Sequence, residues 1–412
     1  MMKQLFLLLF SVLTIAAFPQ NMDYAHYVLN NLGSEDFKGR GFVGGGDKTA
    51  AGFIKSQLDS LGVKPVGKSY FQPFTLTVNT FPEKIFLSVD GKELIPGKDF
   101  LLDMHSGSAD GKFPVKTVTL SELKSGIPKN LKKSFVLLQN DTQDKDAAKT
   151  IRSIVYANLL NAAGYLLPED KLVNEPATEV FKHVVIKVKS NVIDSLPKVI
   201  KITAKNKFLK NYQTQNVFGY IQGKTDSFIV FSAHYDHLGK LGERATFYGA
   251  NDNGSGVTML LNLANYFTHH SPHYSILFMF FSGEEEGLLG SFYAAQHPVV
   301  DLKKIKFLFN LDMVGTGQEG IQIVNSTVFK RETSILQEIN DKNHYLVKIK
   351  LRGPAANSDH YPFYDKGVPS FFIYTLGGSK QYHNIYDKPD QLSLFAFPNL
   401  VKLLIGFEKQ YQ

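Results

Sequence analysis

The chain has no cysteine and no tryptophan in 412 residues, few arginines, and no apolar run beyond its first residues that resembles a membrane span. Each absence excludes something. Without cysteine there is no disulfide and no lipid-anchor cysteine, so the folded state rests on the core and on any bound metal. The formal charge of +7 and the pI near 9.1 come from lysines spread along the chain, with no dense basic block. That distribution fits a generally basic exported protein better than a nucleic-acid binder. Repeats and low-complexity tracts are also missing.

One short hydrophobic stretch is present. Lys3 precedes the apolar run Leu5 to Ala17, too short to span a bilayer comfortably and ending in small residues. Residues 1–17 therefore read as a secretory signal cleaved near Ala16 or Ala17, which implies a periplasmic or secreted protein with no stable membrane insertion. At 43% hydrophobic content the mature chain can bury a sizeable core and has room for two or three domains.

Three regions follow. Residues 20–83 open with helical patterns from Asp23 to Leu61, interrupted at GRGFVGGGDK; the second helix carries Ala50, Phe53, Ile54, Leu58 and Leu61 at core spacing. Residues 84–205 are lysine-rich, with alternating strands such as VVIKVKS and VIKITAK and one helix around Ile151 to Ala163. They read as an inserted, smaller β-rich or α+β domain. Residues 206–412 return to a main sheet, beginning with NVFGYIQG. Gly39, Gly41 and Gly44 match GxGxxG by letter, but the dinucleotide motif needs a preceding strand and VLNNLGSEDF looks helical. The glycines read as a flexible surface loop.

In the last region four near-continuous apolar runs, SFIVFSA, SILFMFF, KFLFNL and PSFFIYT, alternate with helical stretches at Gly254 to His269 and Leu288 to His297. Runs of this kind are strands covered on both faces. The order predicts an α/β fold with a doubly wound, mostly parallel sheet flanked by helices, whose ligands bind at the carboxyl ends of the strands. Polar residues collect at those ends: His234 and Asp236 in AHYDHLG, Asp252 in GANDNGSG, Glu284 and Glu285 in SGEEEGLLGS, Asp312 in NLDMVG and His383 in QYHNIYDKPD. Each has a bland reading alone. His234 fits a satisfied core histidine, Asp252 a turn former, the glutamates a solvated face at a helix start, Asp312 a cap and His383 a loop histidine. Together, in this order at adjacent strand ends, they supply ligands for two metals plus one spare carboxylate. Adjacent glutamates at a buried strand end repel one another unless cations neutralise them.

Through these segments, with NSDHYPF and KGVPSFFIYT, the chain resembles the co-catalytic di-zinc peptidases that include bacterial leucyl aminopeptidases and glutamate carboxypeptidase. The resemblance is strong from Asn216 to Gln412 and weak from Asp23 to Leu61. It implies two zinc ions, one held by His234 and Asp312, the other by Glu285 and His383, with Asp252 bridging, Glu284 as general base and Asp236 orienting His234. It also implies a cis bond from Asp252 to Asn253 and likens residues 84–205 to a protease-associated insert. An exported aminopeptidase acting on peptides with a free N-terminus is the expected function. Some members carry a tyrosine shortly before the SDH segment; here Ala355 and Ala356 stand there, and Tyr382 or His360 is the candidate for stabilising the oxyanion. Ser358 reads equally as the N-cap of a helix starting at Asp359.

Rival readings are a carboxypeptidase or dipeptidase of the same fold, for which Arg244 and Arg352 lie near the motifs, a glutaminyl cyclase, whose relatives line the site with tryptophan, and a non-catalytic receptor-like binding protein.

Overall fold

A computed structural model describes residues 21–411, apart from 127, 129 and 194. The signal peptide expected over residues 1–17 lies outside the described residues. Among the described residues no helix is long and apolar enough to cross a membrane.

The four apolar runs form the centre of a nine-stranded sheet. Strands Tyr274–Phe281, Thr225–His234, Ile305–Leu311 and Ser370–Leu376 lie side by side, all parallel. Alternate residues enter two cores, which is why no polar alternation marks these runs in the sequence. Ile229, Phe231, Phe278 and Phe309 face the layer that holds helices Met22–Leu32, Gly46–Ser60, Ser255–His269 and Phe397–Gln410. Val230, Leu277, Met279 and Leu308 face Ala294, Ala295 and Phe363 on helices Leu289–Gln296 and Tyr361–Asp365. Each such side chain taken from water contributes about 1.5–3 kcal/mol.

The flanks depart from the mostly parallel expectation. Lys207–Ile221 runs antiparallel to Tyr274–Phe281 and pairs with Phe71–Thr80 and Lys64–Pro65, while Gly320–Val324 runs antiparallel to Ser370–Leu376. The sheet is mixed, with a parallel centre. The first half of Phe71–Thr80 leaves alternate residues to solvent, the pattern an antiparallel margin tolerates and a parallel centre does not.

Residues 86–204 build a second, eight-stranded sheet. One face is covered by helix Ala147–Tyr156; the other packs against Leu241, Ala245 and Phe247 beside the main sheet. The helix expected from Ile151 to Ala163 starts earlier and stops at Tyr156. Asn158 adopts a left-handed conformation there, and its side chain closes the turn on both the N–H and C=O of Ala162.

The Gly39–Gly44 segment is not a flexible surface loop. Gly239 N–H donates to the Gly39 carbonyl at 3.0 Å, and a Cβ on Gly41 would meet the Gly239 backbone at 2.5 Å. The glycines permit two backbones to touch, and this seam buries Arg40 completely.

Candidate metal centre

Because the central strands are parallel, their carboxyl ends share one edge, and the polar residues that follow them converge. His234 ends its strand; Glu284 and Glu285 follow Phe281, Asp312 follows Leu311, and His383 lies in the loop after Leu376. Asp252 sits in the irregular turn that opens helix Ser255–His269, and its peptide bond to Asn253 is cis.

The geometry is paired about Asp252. Its Oδ1 lies 3.3 Å from His234 Nε2, which is 3.4 Å from Asp312 Oδ1. Its Oδ2 lies 3.2 Å from His383 Nε2, which is 3.0 Å from Glu285 Oε2. One Nε2–H can serve one acceptor well, yet each imidazole faces two carboxylates at nearly equal distance. Ligand atoms about 2.0–2.2 Å from a tetrahedral metal stand about 3.3–3.6 Å apart. The imidazole–carboxylate spacings of 3.0–3.4 Å are close to those that donors around a shared ion take. Glu284 Oε2 is farther out, 4.0 Å from His234 Nε2. His234, Asp252 and Glu285, and again His234, Glu284 and Asp312, come close enough to share an ion.

Electrostatics point the same way. Burial and the charges of Asp359, Asp312 and Glu285 push the Glu284 carboxyl well above its ordinary range, against the pull of His234. Burial also raises Asp236 to about 6 and Asp359 to about 7. Burial would raise Asp252 too, but hydrogen bonds from His234 and His383 hold it well below the carboxylate range. Burial would lower His383, but Glu285 and Asp252 lift it to about 11. Carboxylates outnumber cationic groups at this edge, and bound cations are the ordinary remedy.

Neighbouring residues hold the donors in place. Arg40 spends all five N–H groups on the carbonyls of Leu32, Tyr235, Tyr248, Gly249 and Asp252, at 2.6–3.2 Å. Asp387 accepts from the N–H groups of Asn251 and Asp252 at 3.0 Å. His237 Nδ1 lies 2.6 Å from Glu285 Oε1. Ser358 donates to Asp312 Oδ2 and accepts from Asn310, each at 2.8 Å, so it steadies Asp312 and does not cap a helix; Tyr361–Asp365 begins three residues later. The expected contact from Asp236 to His234 also differs. His234 Nδ1 is 3.2 Å from the Asp236 backbone carbonyl and 3.8 Å from its carboxylate, which instead accepts from Glu284 N–H. His383 is tied to the second sheet: its Nδ1 lies 2.9 Å from the Asn174 carbonyl, and its own carbonyl accepts from Asn174 N–H at 2.9 Å.

A 250 Å³ cavity opens over the cluster, lined by Met313, Arg352, Phe372, Tyr374 and Tyr382 beside the acidic groups. Tyr382 stacks on His383 at its rim. His360 does not reach the cavity. Its ring is buried beside Phe372, and burial lowers its pKa to about 4, so the structure removes it as an oxyanion candidate. Arg244 is also remote, paired with Glu93 on the surface. His237, Asp359 and Asp387 join the cluster from inside the motif segments, although the sequence reading does not single them out; Arg40 and Asn174 carry no comparable signal.

Comparison with known proteins agrees with this architecture. Residues 216–407 match the family described as Peptidase family M28. Aminopeptidase YwaD of Bacillus subtilis is 27% identical over 350 residues, covering 78% of this chain and 74% of that protein. A vacuolar membrane protease of Candida glabrata is 28% identical over 202 residues, 48% of this chain but only 18% of its own length. The solved structure of a zinc aminopeptidase from Bacillus subtilis superposes with a TM-score of 0.69 at 21% identity, covering 96% of this chain and 95% of the other.

Proposed function

We propose that this chain, whose residues 216–407 match peptidase family M28, is a zinc-dependent aminopeptidase, a metallo-exopeptidase that releases N-terminal residues from peptides. The observation that carries this reading is the pairing about Asp252: each of its oxygens faces one imidazole and one further carboxylate, with Glu284 left over.

His234, Asp312 and Asp252 would hold one zinc ion, and His383, Glu285 and Asp252 the other. Such ions supply a water of lowered pKa and polarise a carbonyl. Glu284, outside both sets, takes the proton of a water molecule as the water's oxygen adds to the carbonyl carbon of the first peptide bond. It returns the proton to the amide nitrogen as the C–N bond breaks, yielding one amino acid and a shortened peptide. Tyr382, at the rim, is the group we assign to the oxyanion. Asp236 orients the Glu284 backbone and, through its carbonyl, the His234 ring. The acidic surroundings suit a free α-amino group, and 250 Å³ is less than a drug-sized site, space for about one residue.

The sequence of residues 1–17 supports export, and residues 84–205 are read as an inserted protease-associated-like domain. One observation favours the second reading, a carboxypeptidase or dipeptidase: Arg352 lines the cavity and offers a cation to a substrate carboxylate. Unblocked, N-acetylated and C-amidated peptides separate the two when zinc is measured on the same sample. The aminopeptidase cleaves the amidated peptide and spares the acetylated one; the opposite outcome establishes the rival.

A further inference from the structure

A second cleft, 510 Å³, lies beside the metal-side cavity, and Tyr382 lines both. One wall comes from the second sheet and the loop after strand Gly164–Glu169, the other from residues 380–386, which carry His383. The two walls are fixed to each other by the reciprocal hydrogen bonds of Asn174 and His383. The cleft is thus built onto the same loop that presents a candidate metal ligand.

Its charge is one-sided. Lys98, Lys171, Lys189 and Lys380 line it, against Asp170. Among the described residues none of these four ammonium groups makes an ion pair or a side-chain hydrogen bond. Like charges gathered around a concavity raise its potential and favour an anionic occupant.

Given the aminopeptidase reading, on which this inference rests, the first residue fills the small cavity and the rest of the peptide must leave it. Tyr382 is 46% exposed at the boundary, so a chain crossing its ring enters the lysine-lined cleft. An extended peptide advances about 3.3–3.6 Å per residue, so the cleft receives the first few residues beyond the scissile bond. We propose that this cleft binds the leaving side of the substrate and selects peptides with a carboxylate there, either an acidic side chain or the free C-terminus of a short peptide.

The test uses the metal-replete full chain and four peptides: Leu-Gly-Gly-Gly amide, Leu-Gly-Glu-Gly amide, Leu-Gly-Lys-Gly amide and Leu-Gly-Gly-Gly with a free carboxylate. At low ionic strength kcat/KM for the Glu amide is expected to exceed that of the neutral amide by about 5- to 10-fold, shrinking to about 2-fold or less near 0.5 M salt. The free-acid peptide shows whether the terminal carboxylate serves as well as the side chain. A Lys171→Glu, Lys380→Glu double variant should reverse the ratio of kcat/KM between the Glu and Lys peptides, toward the Lys peptide; Lys171→Arg, Lys380→Arg should keep the original order. Equal rates for all four peptides, or a preference indifferent to charge reversal, overturn the proposal. Absence of any hydrolysis breaks the aminopeptidase reading instead. Calorimetric binding of the Glu and neutral amides to wild type and the reversed variant then decides the cleft separately: tighter Glu binding lost on reversal supports it, and equal binding refutes it.

Discussion

The two sheets treat buried charge in opposite ways. At the strand ends of the nine-stranded sheet Asp252, Glu285 and Asp312 converge with Asp236, Asp359 and Asp387 on a few imidazoles and Arg40. In the eight-stranded sheet Asp103 is the buried carboxylate among the described residues, and protein groups satisfy it. His105 lies 2.9 Å away, the Tyr156 hydroxyl donates at 3.0 Å, and Lys187 stands at 3.7 Å. The second sheet is electrostatically complete by itself. At the edge of the first, carboxylates outnumber the protein's own cationic groups, so on the proposed reading its ordering is tied to bound cations and that of its neighbour is not.

The contrast breaks most visibly on removal of metal. Chelation should abolish turnover and weaken hydrogen-exchange protection in Thr225–His234 and Ile305–Leu311, while Val184–Lys189 keeps its protection. A ligand present at 100–1,000 times its Kd stabilises the fold by about 2.7–4.1 kcal/mol, which is then lost. Equal loss in both sheets would show that they form one electrostatic unit.

A smaller effect separates proton carrier from ligand at the same edge. Glu284→Gln should lower kcat by about 10²- to 10⁴-fold with zinc content unchanged, whereas Glu285→Gln should lose zinc and stability together. If Glu284→Gln loses the zinc, the two roles are exchanged.

The regions also meet, at Asn174. Asn174→Pro removes the N–H that holds the His383 carbonyl and should weaken zinc binding by about 10- to 100-fold in chelator competition. Asn174→Ala keeps both backbone contacts and should bind zinc as wild type does. Equal affinities in the two variants would mean the second sheet merely abuts the centre.

The smallest expected effect lies inside the second sheet. Burial alone would raise Asp103, but the His105 hydrogen bond and the Lys187 charge lower its pKa from 3.8 to about 2. A depressed folded pKa gives stability that is present above the unfolded value and lost as pH falls toward 2. The amount is about 2 kcal/mol. Denaturant titrations of Asp103→Asn should lack the slope that wild type shows between about pH 4 and 2.

Much of the main sheet was legible because both its faces are covered, which turns central strands into unbroken apolar runs and puts the polar residues after them at one edge. Within a motif segment the sequence could not assign directions. AHYDHLG contains two histidines, and backbone geometry aims His234 at Asp252 and His237 at Glu285. Ser358 reads as a cap until the fold brings Asp312 within reach of its hydroxyl. Arg40 and Asn174 act on partners roughly two hundred residues away, Gly249 and His383, and no local pattern encodes such contacts. The glycines of GRGFVG looked like freedom to move because their partner, Gly239, is equally distant.

The order of the candidate ligands along the chain has a consequence for how the protein comes into being. His383 follows His234 by 149 positions, 383 minus 234, and at about 5–20 residues per second their synthesis takes roughly 7–30 s. During that interval the growing chain displays His234, Asp252 and the glutamates without the last donor of the second position. The side chains proposed to hold the ions are, for that time, an open and incomplete set. Closure waits for the segment around His383 to emerge and for Asn174, made long before, to receive it.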